Sequence, residues 1–228
     1  LASSAGEIEH PLLEVREERN VAYVIIGAER GLAGSYNGSV MNKALAELKG
    51  KDPESVKLVL VGRKAIGFFR KRAYPIVGKM EVGTEVSFVD IRVITSQVRA
   101  MFESGEVDAV YLVYAKFVTA MRQEPTTVKL LPMEKPNMDE FAPSEFMFEP
   151  NADELLGRLL PRYVDTEVYQ SLVEAQASEH GARMSAMSAA TKNAGEMIDS
   201  LTLVYNKARQ AAITKEITEI VGGAEALK

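Results

Sequence analysis

The residues best placed for chemistry form a glycine-punctuated stretch, Gly27-Ala-Glu-Arg-Gly31-Leu-Ala-Gly34, directly after the apolar run Val21–Ile26. Turns of this kind, between a strand and a helix, cradle phosphates with backbone N–H groups when a dinucleotide binds. This one spells neither G-x-G-x-x-G nor G-x-x-x-x-G-K-[ST], and Glu29 puts a negative charge where phosphates would approach. Its first reading is a turn that admits a helix close to a sheet, with a nucleotide site as the second. No G-x-S-x-G elbow surrounds a serine, and the carboxylates are scattered without an acid/base pair. With no cysteine, thiolate nucleophiles, disulfides and Cys-ligated zinc are excluded. The two histidines, His10 and His180, lie far apart in sequence, which argues against a histidine-based metal site. The residues therefore imply no catalytic group, no cofactor and no metal in this chain.

Two basic groupings remain. Arg70-Lys-Arg72, with Arg63 and Lys64, reads as a helix C-terminus whose charges suit the dipole, or alternatively as a contact for an acidic partner. Near the end, Lys207, Arg209, Gln210 and Lys215 lie among apolar residues. Arg209 suits a bidentate bond to a partner carboxylate, although taken alone the group reads as a solvated helix face. A net charge of −5 and a pI near 5.3 provide no electrostatic reason to expect nucleic acid. No apolar run approaches the roughly 20 residues of a membrane helix. Glu7, Glu9 and Glu14 are unlike a signal peptide. The start on Leu1 rather than Met leads us to expect that something precedes it.

The elements that would position these groups fall into two rhythms. From Val21 to about Phe148, short apolar runs alternate with helical patterns, the α/β signature. Val21–Ile26 is continuous and β-branched, as in a strand buried on both faces, and Val56–Val61 is a second. Ala109–Tyr114 and Thr126–Leu131 read as a third and fourth strand, and helices are expected over 37–49, 63–72 and 88–102. In the last of these Val89, Val93, Val98 and Phe102 are among the apolar positions. Pro75, Gly78 and Gly83 mark a loop, and Pro132, Pro136 and Pro143 an irregular connection ending in the apolar run Phe146–Phe148.

After Pro150 the strand pattern stops, and only Pro161 interrupts helix-compatible sequence before Gly222. The 60 residues from Arg162 to Val221 would make a helix about 90 Å long. A compact globule of this chain is only roughly 45 Å across, so such a helix breaks or projects as a rod. Met187, Ala190, Ala194, Met197, Leu201, Val204, Ala208 and Ala211 alternate steps of three and four, which is the seam of a left-handed coiled coil. No other segment is long enough to cover it, so its partner is another chain or a preceding stretch. Ile213, Ile217, Ile220 and Val221 then form an apolar face at the tip that calls for an enclosing surface. Fraying of the terminal helix onto its own domain is the alternative. We read residues 1–150 as a Rossmann-like α/β domain and 151–228 as a long helix forming half of an antiparallel coiled coil.

These residues carry a family likeness. Glu29-Arg-Gly-Leu-Ala-Gly-Ser-Tyr-Asn37 resembles the central signature of the gamma subunit of F-type ATP synthases. Ser178-Glu-His-Gly-Ala-Arg-Met-Ser-Ala-Met187, Ala190-Thr-Lys-Asn-Ala194 and the run from Leu203 to Val221 resemble the gamma C-terminal helix almost position by position. The likeness spans essentially all 228 residues in order. It implies a central rotor shaft that turns inside a ring of alpha and beta subunits, with catalysis on beta. It also implies a foot that binds epsilon and sits on the membrane c-ring. By resemblance, Arg209 and Gln210 engage the catch loop of beta, Thr214 and Glu216 lie in the same contact region, and Ile213, Ile217, Ile220 and Val221 sit in an apolar bearing. The family begins with a long helix that carries a basic, Met-containing segment also facing beta, and Leu1–Pro11 resembles the segment just after that helix, so the coiled-coil partner is expected to be the N-terminal helix itself. The cysteine-bearing chloroplast insertion is missing. The resemblance implies a place on the cytoplasmic face of a bacterial cell membrane, with the matrix side of the mitochondrial inner membrane as the alternative. A nucleotide-binding enzyme and a generic coiled-coil scaffold are the rival readings.

Overall fold

A computed structural model describes residues 10–83, 86–134 and 152–226. Five strands form one sheet in the order β3-β2-β1-β4-β5. The central strand β1 (Val21–Ile26) pairs in parallel with β2 (Val56–Val61) on one side and β4 (Ala109–Thr119) on the other. At one edge β3 (Ile76–Met80) runs parallel to β2, and at the other β5 (Arg122–Leu131) returns antiparallel to β4. The helices are α1 (Tyr36–Leu48), α2 (Arg63–Phe69), α3 (Phe88–Glu103) and α4 (Ala152–Ala226).

The two-residue period of β1 divides the core. Ala22, Val24 and Ile26 face one layer, with Ile91, Val98 and Phe102 of α3 and Val164, Val168 and Leu172 of α4. Tyr23 and Ile25 face the other, with Val40, Met41, Ala44 and Leu48 of α1 and Ala65 and Phe69 of α2. A strand covered on both faces must be apolar at every position, which is why β1 is a continuous run. Before β1 the chain is pinned to the sheet, with the Asp108 carboxylate accepting from the backbone N–H groups of Arg19 and Asn20 at 3.0 and 2.8 Å.

Several expectations are corrected. The loop marked by Pro75 and Gly78 contains the edge strand β3, and Ile76 to Met80 are only half buried, so no apolar run announces it. The helix expected to end at Arg72 stops at Phe69. In α3, Val98 and Phe102 are buried, but Val89 and Val93 face solvent while Ile91, Ile94 and Met101 take the core. Strands three and four extend well beyond Tyr114 and start before Thr126, forming a hairpin whose outer part is exposed. Helix α4 begins ahead of Pro161 and continues through it. Proline there removes one helix hydrogen bond. Burial of Leu156, Val164 and Val168 on the flanking turns holds the helix in place. The expected run Phe146–Phe148, with Pro136 and Pro143, lies outside the described residues.

By packing, the chain divides into two units, Leu1–Ser185 and Ala186–Lys228. The first contains the sheet, its helices and the early turns of α4. In the second, the described residues are helical to Ala226 and almost all exposed.

Candidate functional site

The turn after β1 is occupied by its own chain. Gly62, at the end of β2, has φ +89, and a Cβ there would lie 2.2 Å from the Gly27 carbonyl oxygen. A Cβ on Gly27 itself would stand 3.0 Å from Cβ of Ala65. Gly27 and Gly62 thus let α2 approach the strand ends, whereas the motif is read as admitting the helix that follows it, α1. Glu29 accepts from Arg63 Nε at 2.8 Å and from the Val82 backbone N–H at 2.5 Å, and the Ala28 N–H donates to Asn37 Oδ1 at 3.1 Å.

Ligands of open α/β sheets bind beyond the carboxyl ends of strands where the strand order reverses, here beside β1, between it and β4. That crevice is filled by α4. Ile26, Gly27 and Glu29 share with Leu172, Ala175 and Glu179 a void of only about 10 Å³, room for one water and not for a nucleotide. The buried Tyr36 hydroxyl donates to the Ala175 carbonyl at 3.0 Å, and Arg183 Nε donates to the Gly31 carbonyl at 3.3 Å. Arg183 also pairs with Glu179 one turn back. Burial raises the Tyr36 phenol well above its ordinary pKa, so it stays a neutral donor. A larger groove of about 740 Å³, lined chiefly by Leu13, Leu112, Leu130, Leu156 and Leu160, suits apolar side chains rather than phosphate.

The basic run is placed as a helix end. Arg72 bonds the Phe68 carbonyl at the terminus of α2, and its guanidinium lies 3.5 Å from the Phe68 ring centroid.

Residues 187–226 present the second candidate. Met197, Leu201 and Val204 of the seam are each more than 60% exposed, and Ile213, Ile217, Ile220 and Val221 are 48–72% exposed. So many apolar side chains left in water on one helix mark a binding surface. At 100° per residue, Arg209, Gln210, Ile213, Thr214, Glu216, Ile217, Ile220 and Val221 all fall within an arc of about 160°. The seam from Met187 to Ala211 occupies the other side of the helix. The two sets of exposed side chains therefore lie on opposite sides of the helix, the second nearer its C-terminal end. Among the described residues, Arg209 and Gln210 have no hydrogen-bond or ion-pair partner, whereas Lys215 stands 3.7 Å from Glu219 and the Thr218 hydroxyl donates to the Thr214 carbonyl.

Residues 1–227 match the family described as ATP synthase. An ATP synthase gamma chain from Pelotomaculum thermopropionicum is 48% identical over 230 residues, covering 100% of this chain and 81% of the relative. The chain belongs to the ATP synthase gamma chain family. A gamma chain from Desulforamulus reducens is 46% identical with the same coverage. Among solved structures, the central stalk and c-ring of Tetrahymena thermophila mitochondrial ATP synthase contains a chain similar to this one. It has a TM-score of 0.61 and 26% identity, over 78% of this chain and 79% of that one. A chain of Euglena gracilis mitochondrial ATP synthase shares the fold at TM-score 0.68, with 20% identity over 92% of this chain and 73% of that one. As a gamma-family chain, the protein is a rotor subunit of the ATP synthase enzyme complex. Among its described residues no helix is long and apolar enough to cross a membrane.

The contacts of Tyr36, Glu179, Gly181 and Arg183 with the rest of the first unit were not legible in advance. The one available signal was Gly181, an isolated glycine inside a strong helical pattern.

Proposed function

We propose that this gamma-family chain couples ion flow through the membrane c-ring to ATP synthesis and hydrolysis on beta, with residues 1–150 as foot and 151–228 as shaft. The supporting observation is the two-sided exposed helix. Its seam suits an antiparallel helix of the same subunit outside residues 1–228, and its opposite face suits the alpha/beta ring. Catalysis is assigned to beta, and this chain acts by mechanical coupling. A rotor drives its partners when its contacts differ in energy between their open and closed states, because only differential affinity shifts a population. Arg209 and Gln210 supply a polar latch to beta, with Thr214 and Glu216 beside it. Ile213, Ile217, Ile220 and Val221 supply an apolar bearing that slides without directional bonds. The foot meets epsilon and the c-ring, which places the subunit on the cytoplasmic face of a bacterial cell membrane.

The test is Arg209→Ala combined with Gln210→Ala in the full-length subunit within assembled ATP synthase. ATP-driven torque and ATP synthesis are expected to fall while the complex still assembles. Unchanged torque and synthesis would overturn the latch.

A further inference from the structure

Helix α4 is held from two sides within the first unit. On one side the turn after β1 reaches it through Tyr36 to the Ala175 carbonyl and through Arg183 to the Gly31 carbonyl. Elsewhere on its circumference the β4–β5 turn abuts it at Gly181, where an added Cβ would lie 2.9 Å from the Ala120 carbonyl oxygen and 3.1 Å from its Cα. Gly181 and Arg183 are two residues apart, so they point in directions about 200° apart around the helix axis. A helix packed on one face can roll by exchanging one set of apolar contacts for another. A helix with directional hydrogen bonds on one side and close backbone contact on the other cannot. Glycine inside a helix costs roughly 1 kcal/mol relative to alanine, and at 181 an added Cβ has no room beside the Ala120 backbone.

We propose that the β1–α1 turn and the β4–β5 turn form a torsional grip that fixes α4 at residues 175–183 against rotation about its own axis. Tyr36 and Arg183 are its positioning residues. The proposal rests on the rotor role, since only a turning subunit carries torque across this contact.

The experiment uses assembled ATP synthase carrying Tyr36→Phe, Arg183→Met, or both. The alpha/beta ring is immobilised and a bead is attached to the foot. Rotation of the bead by the wild-type complex at saturating ATP tests the rotor role separately. With hydrolysis stalled, the angular variance of the bead then reports torsional stiffness. Removing both hydrogen bonds is expected to raise the variance above that of the wild type, with each single variant in between. Unchanged variance in a complex that still rotates overturns the grip. A lower unfolding midpoint with unchanged variance assigns the contacts to stability alone and overturns it equally. Should the double variant fail to assemble, Tyr36→Phe carries the test, because it keeps the buried ring and removes only the hydroxyl.

Discussion

The hydroxyl of Tyr36, on the first turn of α1, donates to the carbonyl of Ala175, 139 residues later on α4, in a buried hydrogen bond of 3.0 Å. The bond joins the turn after the central strand to the middle of the early α4 turns, and the ring fills the core of the opposite layer. One residue thus spans both sides of the sheet's carboxyl edge.

Tyr36→Phe keeps the ring and removes the bond, and is expected to destabilise the first unit by about 1 kcal/mol. Tyr36→Ala empties the site as well, at a cost of about 3–5 kcal/mol. Urea unfolding followed by a probe in residues 10–185 measures both. A Tyr36→Phe variant as stable as the wild type would show that the hydroxyl contributes nothing.

Gly181→Ala and Gly195→Ala are expected to have opposite signs. A Cβ at 195 meets nothing within 4 Å, so alanine there gains its helix propensity, about 1 kcal/mol. At 181 the same methyl group collides with backbone atoms of Ala120, which have no flexible side chain to yield. Thermal melting of the two variants decides it, and a stabilised Gly181→Ala would contradict the close approach.

Asp165 of α4 is 6% exposed and accepts from the hydroxyl of the fully buried Thr95 on α3, with Arg99 Nη2 at 3.8 Å. Thr95→Val leaves the shape and removes the donor, so a buried carboxylate loses its hydrogen bond and keeps only the longer contact with Arg99. The expected loss is about 1–3 kcal/mol in denaturant unfolding, against a smaller loss for Thr95→Ser.

Glu18 accepts from Lys129 Nζ at 2.8 Å and from the Tyr111 hydroxyl at 2.8 and 3.0 Å. The Lys129 ammonium, assisted by Tyr111, holds the Glu18 carboxyl below its ordinary 4.5. A carboxyl lowered by folding stabilises the fold above its unfolded pKa, and the contribution is lost as pH falls through the folded value. The wild type should therefore exceed Glu18→Gln in stability by a constant margin above about pH 5, shrinking on acidification below 4.5. The pair is about one-third exposed, so the margin is small and salt-sensitive. Urea midpoints between pH 3 and 7 would show it, and a margin that grew in acid would be contrary.

Sequence alone was decisive where a local pattern has one physical solution. Val21–Ile26 and Val56–Val61 are the observed strands, because an apolar, β-branched run of six residues suits a strand covered on both faces. Helix α1 followed its periodicity to within a residue, and the family was legible in the motifs around Gly31 and Arg209. The faces of the C-terminal helix were legible as well, since helical spacing alone assigns directions around an axis. Other features depended on partners distant in the chain. The strand Ile76–Met80 is defined by its pairing with β2 rather than by its own residues. The hairpin extends where its side chains are exposed, because cross-strand hydrogen bonding requires no apolar pattern. Val89 and Val93 were displaced from the core by residues that the sheet surface favours. The occupation of the ligand crevice by α4 is the clearest case. Nothing near Gly27 indicates that residues 172–183 will fill it, since that contact arises only when segments about 150 residues apart pack together. Spacing along the chain determines which face an element offers, and tertiary packing determines what that face meets.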